Sequence, residues 1–129
     1  MAAGKPVTSS GVESDAFPAL YLTDNNTATR WSSNYADNAW FIIDLGNTFQ
    51  INQIILNWEA AFGRRYDILI SSDGQNYTHL LNQSNGAGGV ETLNFNPVAA
   101  KYIKFQGIER ALPYGYSLWE VSVMGNTAD

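Results

Sequence analysis

No stretch of this 129-residue chain sustains the apolar spacings of three and four that an amphipathic helix requires. They come in short runs of β-branched and aromatic side chains, and Gly, Asn or Asp closes most of them. "WFIIDLG" (40–46) is a continuous apolar run ended by Gly46, the pattern of a strand covered on both faces. "INQIILNWE" (51–59) alternates, setting Ile54, Leu56 and Trp58 on one side and Gln53, Ile55 and Asn57 on the other. "YDILISSDGQNYTHLL" (66–81) predicts strand, turn, strand, with Asp73-Gly74 as the hairpin signal because Gly accepts positive φ at little cost. "NGAGGVETLNFN" (85–96) predicts a glycine-rich loop followed by a strand. "AKYIKFQGIE" (100–109) places Ile103 and Phe105 on one face, and "YSLWEVSVMG" (116–125) is the closing strand.

Such a succession folds as an antiparallel sandwich or barrel around one core. The length suits a single domain over 1–129, with no repeat and no linker to divide it. A chain of this size buries enough surface to fold without staples. It contains no cysteine, so disulfides and thiolate metal sites are excluded. Twelve acidic residues against seven basic ones give a net charge of −5, which argues against nucleic acid and anionic membranes as partners. No apolar run approaches the ~20 residues of a membrane span. The opening "MAAGKP" has no apolar signal segment and reads as the start of an excised module.

The first forty residues are mostly loop, and loops are where a sandwich carries its function. Within them "TDNNTATRWSS" (23–33) surrounds the single charge of Arg30 with small polar residues and follows it with Trp31. A phosphate contact, a metal loop, part of a sugar site and a loop tucking an aromatic into the core are all compatible with that composition.

"FPALYLTDNNTATRWSS", "AWFIIDLG", "INQIILNWE", "YDILISSDGQNY" and "GYSLWEVSVMG", in this order over nearly the whole chain, resemble the F5/8 type C (discoidin-like) domains. Within that family they are most similar to the family 32 carbohydrate-binding modules attached to bacterial glycoside hydrolases. The "RALPYGYSLWE" ending resembles modules on chitosanases and β-glucanases. The resemblance implies an all-β, antiparallel jelly-roll sandwich of about eight strands, of the galactose-binding-domain-like type. It also implies a secreted, extracellular bacterial module, monomeric and non-catalytic, that directs an appended catalytic domain to a polysaccharide.

It further implies one structural Ca²⁺. By the family's pattern the side chains of Asp24, Thr29 and Glu120 coordinate it, with carbonyls from Tyr21, Asn26, Thr29 and Trp119. Ca²⁺ takes six to eight oxygens, and this loop is rich in them. Where the family often has Gly after the aspartate, this chain has Asn25, which also tolerates a left-handed backbone. The competing reading is an ordinary Asx-rich turn.

The family's sugar site lies on loops at one end of the sandwich, which singles out Glu13, Arg30, Tyr35 and Glu59, with Tyr116 or Tyr114 as a further wall. Tyr35 is expected to stack on a sugar ring and Arg30 to donate to hydroxyls through its planar fork. Galactose-binding relatives typically use His, Arg and Asn, whereas the only histidine here is His79, mid-strand. Two carboxylates instead suit the amines of chitosan or glucosamine oligomers. The alternatives are a neutral β-glucan or galactose-type glycan, a discoidin-like protein or membrane adhesion module, and a glycosidase using Glu13 and Glu59 as its carboxyl pair. Trp31, Trp40, Trp58 and Trp119 are assigned to the core, because each lies in or beside an apolar strand.

Overall fold

The computed structural model describes residues 2–26 and 28–127. Its strands are β1 (Val7–Ser9), β2 (Trp31–Ser32), β3 (Trp40–Trp58), β4 (Gly63–Ser71), β5 (Thr78–Gln83), β6 (Val90–Arg110) and β7 (Ser117–Thr127), and a 3-10 turn covers Ala19–Thr23. All pairings are antiparallel, in the order β2-β7-β3-β6-β4-β5, with β1 on β3.

The sandwich arises because the two longest strands bend. Residues 40–44 of β3 pair with β6 residues 102–106, and the register then breaks until Phe49 meets Ala100. Gly46, at φ 85°, lies in that break, where a side chain would be strained. The first half of β3 carries β1, whereas its second half pairs with β7 along 49–58. One layer is therefore β1, the first half of β3, the second half of β6, β4 and β5. The other is β2, β7, the second half of β3 and the first half of β6. Continuity through the bends fuses two pairs of predicted segments, and with the short β1 and β2 the described strands number seven, close to the expected about eight. Segments 40–46 and 51–59 run on as one element, as do the strand begun in 85–96 and segment 100–109.

Between the layers lie Phe41, Ile43, Tyr66, Ile68, Ile103 and Phe105 from one side and Ile54, Leu56, Trp58, Leu118, Val121 and Val123 from the other. Trp58 meets Phe105 edge-on across this gap, with ring centroids 5.8 Å apart. Each such side chain contributes about 1.5–3 kcal/mol when fully buried. The predicted alternation of Ile54, Leu56 and Trp58 matches the buried face of β3. Trp31 is also buried, but Trp40 and Trp119 are only half-buried, correcting their assignment to the core. Trp40 lies on the outer face of β3, with the Lys104 ammonium 5.3 Å from its ring centroid. The hairpin at Asp73-Gly74 forms with a six-residue connection between Ser71 and Thr78 rather than a two-residue turn. There Asp73 Oδ1 accepts from the backbone N–H groups of Gln75 and Asn76, both at 2.9 Å. Among the described residues no helix is long and apolar enough to cross a membrane.

Candidate functional site

At one end of the sandwich the start of β7 ties two loops together through Ser117, the one ending at Arg30 and the one between β3 and β4. Its hydroxyl accepts a hydrogen bond from Arg30 Nη1 at 2.7 Å. Its carbonyl accepts from the Glu59 N–H at 2.9 Å, and its own N–H donates to the Ala61 carbonyl at 2.9 Å. Ser117 is itself buried, so these bonds are sheltered from water.

Arg30 directly precedes β2, where the fully buried Trp31 packs edge-to-face on Phe41 and fixes the backbone. The guanidinium lies 4.0 Å from the Phe17 ring centroid, a cation–π contact that holds its plane. Among the described residues no carboxylate forms an ion pair with Arg30, so most of its donors stay open to a ligand. Glu13 is placed from the opposite side, its N–H donating to the Ser32 carbonyl at 2.8 Å. Tyr35 Oη donates to Glu13 Oε1 at 2.7 Å. This bond, a further one with the Ser32 side chain and the nearby Arg30 charge hold the Glu13 carboxyl below the usual range. The Tyr35 hydroxyl is correspondingly raised by its carboxylate partner. Glu59 Oε1 accepts from the Ala61 N–H at 3.3 Å.

These groups surround a recess of ≈ 230 Å³ whose lining includes Glu13, Arg30, Glu59, Leu112, Tyr114 and Ser117. A second, wider recess of ≈ 540 Å³ is lined by Val12, Glu13, Ser14, Phe17, Asn34 and Tyr35. Glu13 borders both. Tyr35 and Tyr114, both more than half exposed, meet edge-on across the boundary at 6.3 Å and 79°. This end of the molecule thus presents charged and polar groups beside two exposed tyrosine rings, able to hold a hydroxylated or amine-bearing ring by stacking and hydrogen bonding.

Glu13, Arg30, Tyr35 and Glu59, singled out from the sequence, all line these two recesses. Tyr116 does not. It is fully buried, its Oη donating to the Asp37 carbonyl at 2.6 Å and its ring packing edge-on against Phe105 at 5.3 Å. Gly115 explains the exchange: a Cβ there would collide with the Ser33 carbonyl, so the chain dives inward, leaving Tyr114 outside and carrying Tyr116 into the core. Ser117 and Phe17 escaped sequence reasoning altogether. Neither carries a local signal, because each acts through a partner distant in sequence.

The adjoining loop brings Asp24 and Thr29, two of the residues expected around a cation, into contact with each other, and Glu120 of β7 reaches the same loop. Asp24 Oδ1 accepts from the Asn26 N–H at 3.0 Å, and Asp24 Oδ2 accepts from the Thr29 hydroxyl. Asn25 has φ 58°, the left-handed conformation that lets the turn close. From β7, Glu120 Oε2 accepts from the Asn25 N–H at 3.2 Å, across 95 residues of sequence. Glu120 Oε1 is buried with no hydrogen-bond partner. Burial pushes this carboxyl up to about 7, and the neighbouring Asp24 charge acts in the same direction. Tyr21 sits in the 3-10 turn entering this loop, and Trp119 directly precedes Glu120 on β7. An orphaned buried carboxylate oxygen beside a second carboxylate and a hydroxyl fits a hard cation, which would satisfy it.

A model of the F5/8 type C domain matches residues 6–121. The fold superposes on chitosan-binding module 1 from a chitosanase/glucanase of Paenibacillus sp. IK-5 with a TM-score of 0.92, at 38% identity over 96% of this chain and 97% of that one. Module 2 of the same enzyme, solved in complex with chitotriose, gives a TM-score of 0.93 at 36% identity, covering 96% of this chain and 98% of that one. A polysaccharide lyase 8 family protein, HylA of Enterococcus faecalis, is 34% identical over 114 residues. That match spans 79% of this chain and only 8% of the relative's length. The chain belongs to the F5/8 type C domain family and is built as the carbohydrate-binding modules within it are.

Proposed function

We propose that this protein is a non-catalytic module that binds a cationic glycan of the chitosan type and holds an appended catalytic domain against that polymer outside the cell. The observation that carries this reading is the pairing of Glu13 and Glu59 in one recess with the single counter-charge of Arg30. That floor has a net negative charge, so a protonated amine on a sugar gains charge-assisted hydrogen bonds there, whereas a neutral hydroxyl gains less. Tyr114 and Tyr35 supply ring faces, and Arg30 supplies donors for hydroxyls. The two chitosan-binding relatives support the same ligand class. A retaining or inverting glycosidase requires one carboxyl raised to act as an acid. Glu13 is held low by its hydrogen bonds from Tyr35 and Ser32, so it does not supply that acid.

The structural cation belongs to the same reading. Asp24, Thr29 and Glu120 would hold Ca²⁺ by side chains, with the carbonyls of Tyr21, Asn26, Thr29 and Trp119 completing the shell. When bound it ties the first loop to the last strand and takes no part in sugar chemistry.

Titration with glucosamine, N-acetylglucosamine and galactose oligomers, followed by backbone NMR, tests the ligand class. The glucosamine series is expected to shift amides around Glu13, Arg30, Tyr35 and Glu59, with affinity falling as salt rises. Tighter binding of galactose or of a neutral β-glucan overturns the charge argument. Release of reducing ends that is abolished by Glu13→Gln would show an enzyme instead.

A further inference from the structure

We infer that Tyr116 and the Asp37–Arg110 ion pair are positioning residues for the sugar site, holding the loop that carries Tyr35 in place against the loop that carries Tyr114. The inference rests on the reading just proposed and says what keeps its two exposed rings where they are. Tyr35 lies in segment 33–39, between β2 and β3, and Tyr114 in segment 111–116, between β6 and β7. Both rings are more than half exposed and meet edge-on at 6.3 Å, so burial fixes neither of them.

The backbone on both sides of Tyr35 is fastened instead to the strand and loop that carry Tyr114. Before it, the Ser33 N–H donates to the Tyr116 carbonyl at 2.8 Å, and Ser33 Oγ accepts from the Tyr116 N–H at 2.8 Å. After it, the Asp37 carbonyl accepts from Tyr116 Oη at 2.6 Å. Asp37 Oδ1 accepts from the Arg110 backbone N–H at 3.1 Å and from Arg110 Nε at 2.9 Å. Gln106 Nε2 donates to the Asn38 carbonyl at 2.9 Å, and the Gly107 N–H donates to the Ala39 carbonyl at 2.8 Å. The clamp needs glycine at 107, because a Cβ there would collide with the Tyr116 ring and the Asp37 carbonyl. Arg110 ends β6 four residues before Tyr114, and Tyr116 follows that ring by two, so the same fastenings flank both rings. The hydrogen bonds from Arg110 hold the Asp37 carboxyl below its usual range, so the pair stays charged in mild acid, where a glycan amine is protonated. Rings already placed spare the ligand the cost of ordering them.

Nuclear Overhauser contacts between the Tyr35 and Tyr114 rings in the unliganded protein, together with calorimetric affinities for a glucosamine trisaccharide, test this. Tyr116→Phe removes one buried hydroxyl. Asp37→Ala removes an exposed carboxylate, and so keeps the test open if the first variant fails to fold. Each is expected to remove the ring-to-ring contacts and to lower affinity about fivefold, the scale of one hydrogen bond. In a Tyr35→Ala background, Asp37→Ala should lower affinity by less than about twofold, because the ring it places is gone. A general loss of stability would instead cost the same factor with or without Tyr35. Ring contacts that survive Asp37→Ala, or an affinity loss that Tyr35→Ala leaves undiminished, overturn the positioning role while leaving the sugar site intact. Failure of the unaltered protein to bind any glucosamine oligomer overturns the reading beneath it, and the role with it.

Discussion

The loop at Asp24–Thr29 and the recess at Glu13, Arg30 and Glu59 meet at a single peptide bond, between Thr29 and Arg30, yet they treat their carboxylates in opposite ways. Against the loop, Glu120 of β7 is buried, one of its oxygens is orphaned, and its carboxyl is pushed up to about 7. In the recess Glu13 is exposed, hydrogen-bonded by Tyr35, and held below the usual carboxylate range. Burial makes the difference. A buried, under-bonded carboxylate is costly until a cation stays with it, whereas an exposed and already bonded one accepts a cation and lets it go. The first arrangement suits a resident ion and the second a passing ligand.

The comparison is most strongly tested by chelation. If Ca²⁺ occupies the loop, EDTA should lower the melting temperature by about 10 °C, which corresponds to the ~2.7 kcal/mol contributed by an ion at 100 times its Kd. Differential scanning calorimetry reads this, and Glu120→Gln should abolish the response to EDTA. No change with EDTA would leave the orphaned oxygen without an explanation and break the contrast.

Next in size is the loss of a carboxylate from the recess. Glu13→Gln or Glu59→Gln should weaken a glucosamine oligomer about tenfold, the lower end for a charge-assisted bond at a hydrated site. Neither should move the melting temperature by more than a degree or so, because neither carboxylate is buried. An equal effect on stability and binding would mean that the two regions work as one unit.

The pH dependence sharpens the same point. Because the folded-state pKa of Glu13 is lowered, the carboxylate stays ionised while pH falls from 7 through the ordinary glutamate range near ~4.3. Binding of a cationic oligomer should therefore persist through that range and weaken only below it, as the carboxylate finally takes up a proton. At high pH it should weaken because the ligand's amines lose their charge. Calorimetric titration between pH 4 and 9 gives the profile, and a loss of affinity already at pH 5–6 would show that Glu13 is not the acceptor. The smallest effect expected is that of Tyr35→Phe. It removes the hydroxyl that holds Glu13 but keeps the ring, so affinity should fall about two- to threefold and the low-pH limb should move upward.

Much of this was legible along the chain. The alternation in 51–59 identified the buried face of β3, because side chains on a strand can only point two ways. Glu13, Arg30, Tyr35 and Glu59 were singled out through the family resemblance, which puts a sugar site on the loops at one end, and the fold brings them to the two adjoining recesses. Other features had no local trace. Whether 40–46 and 51–59 formed two strands or one bent strand depended on pairing with β1, β6 and β7, which lie far away in sequence. The roles of Ser117 and Phe17 depend on where Arg30 lies, 87 and 13 residues away respectively.

What the chain by itself determined is its class, its core-facing alternation and the chemical repertoire of its loops, since periodicity and composition act over a few residues at a time. Only the tertiary structure decided which tyrosine faces solvent. Tyr114 and Tyr116 are two residues apart in the same "PYGYS" stretch, and nothing local ranks one above the other. The close approach of Gly115 to Ser33 turns the backbone between them. One ring becomes a wall of the recess, and the other is sealed against Phe105 and Trp58. That choice is made by steric contact between segments more than 80 residues apart, as the 83 residues between Ser33 and its hydrogen-bond partner Tyr116 record.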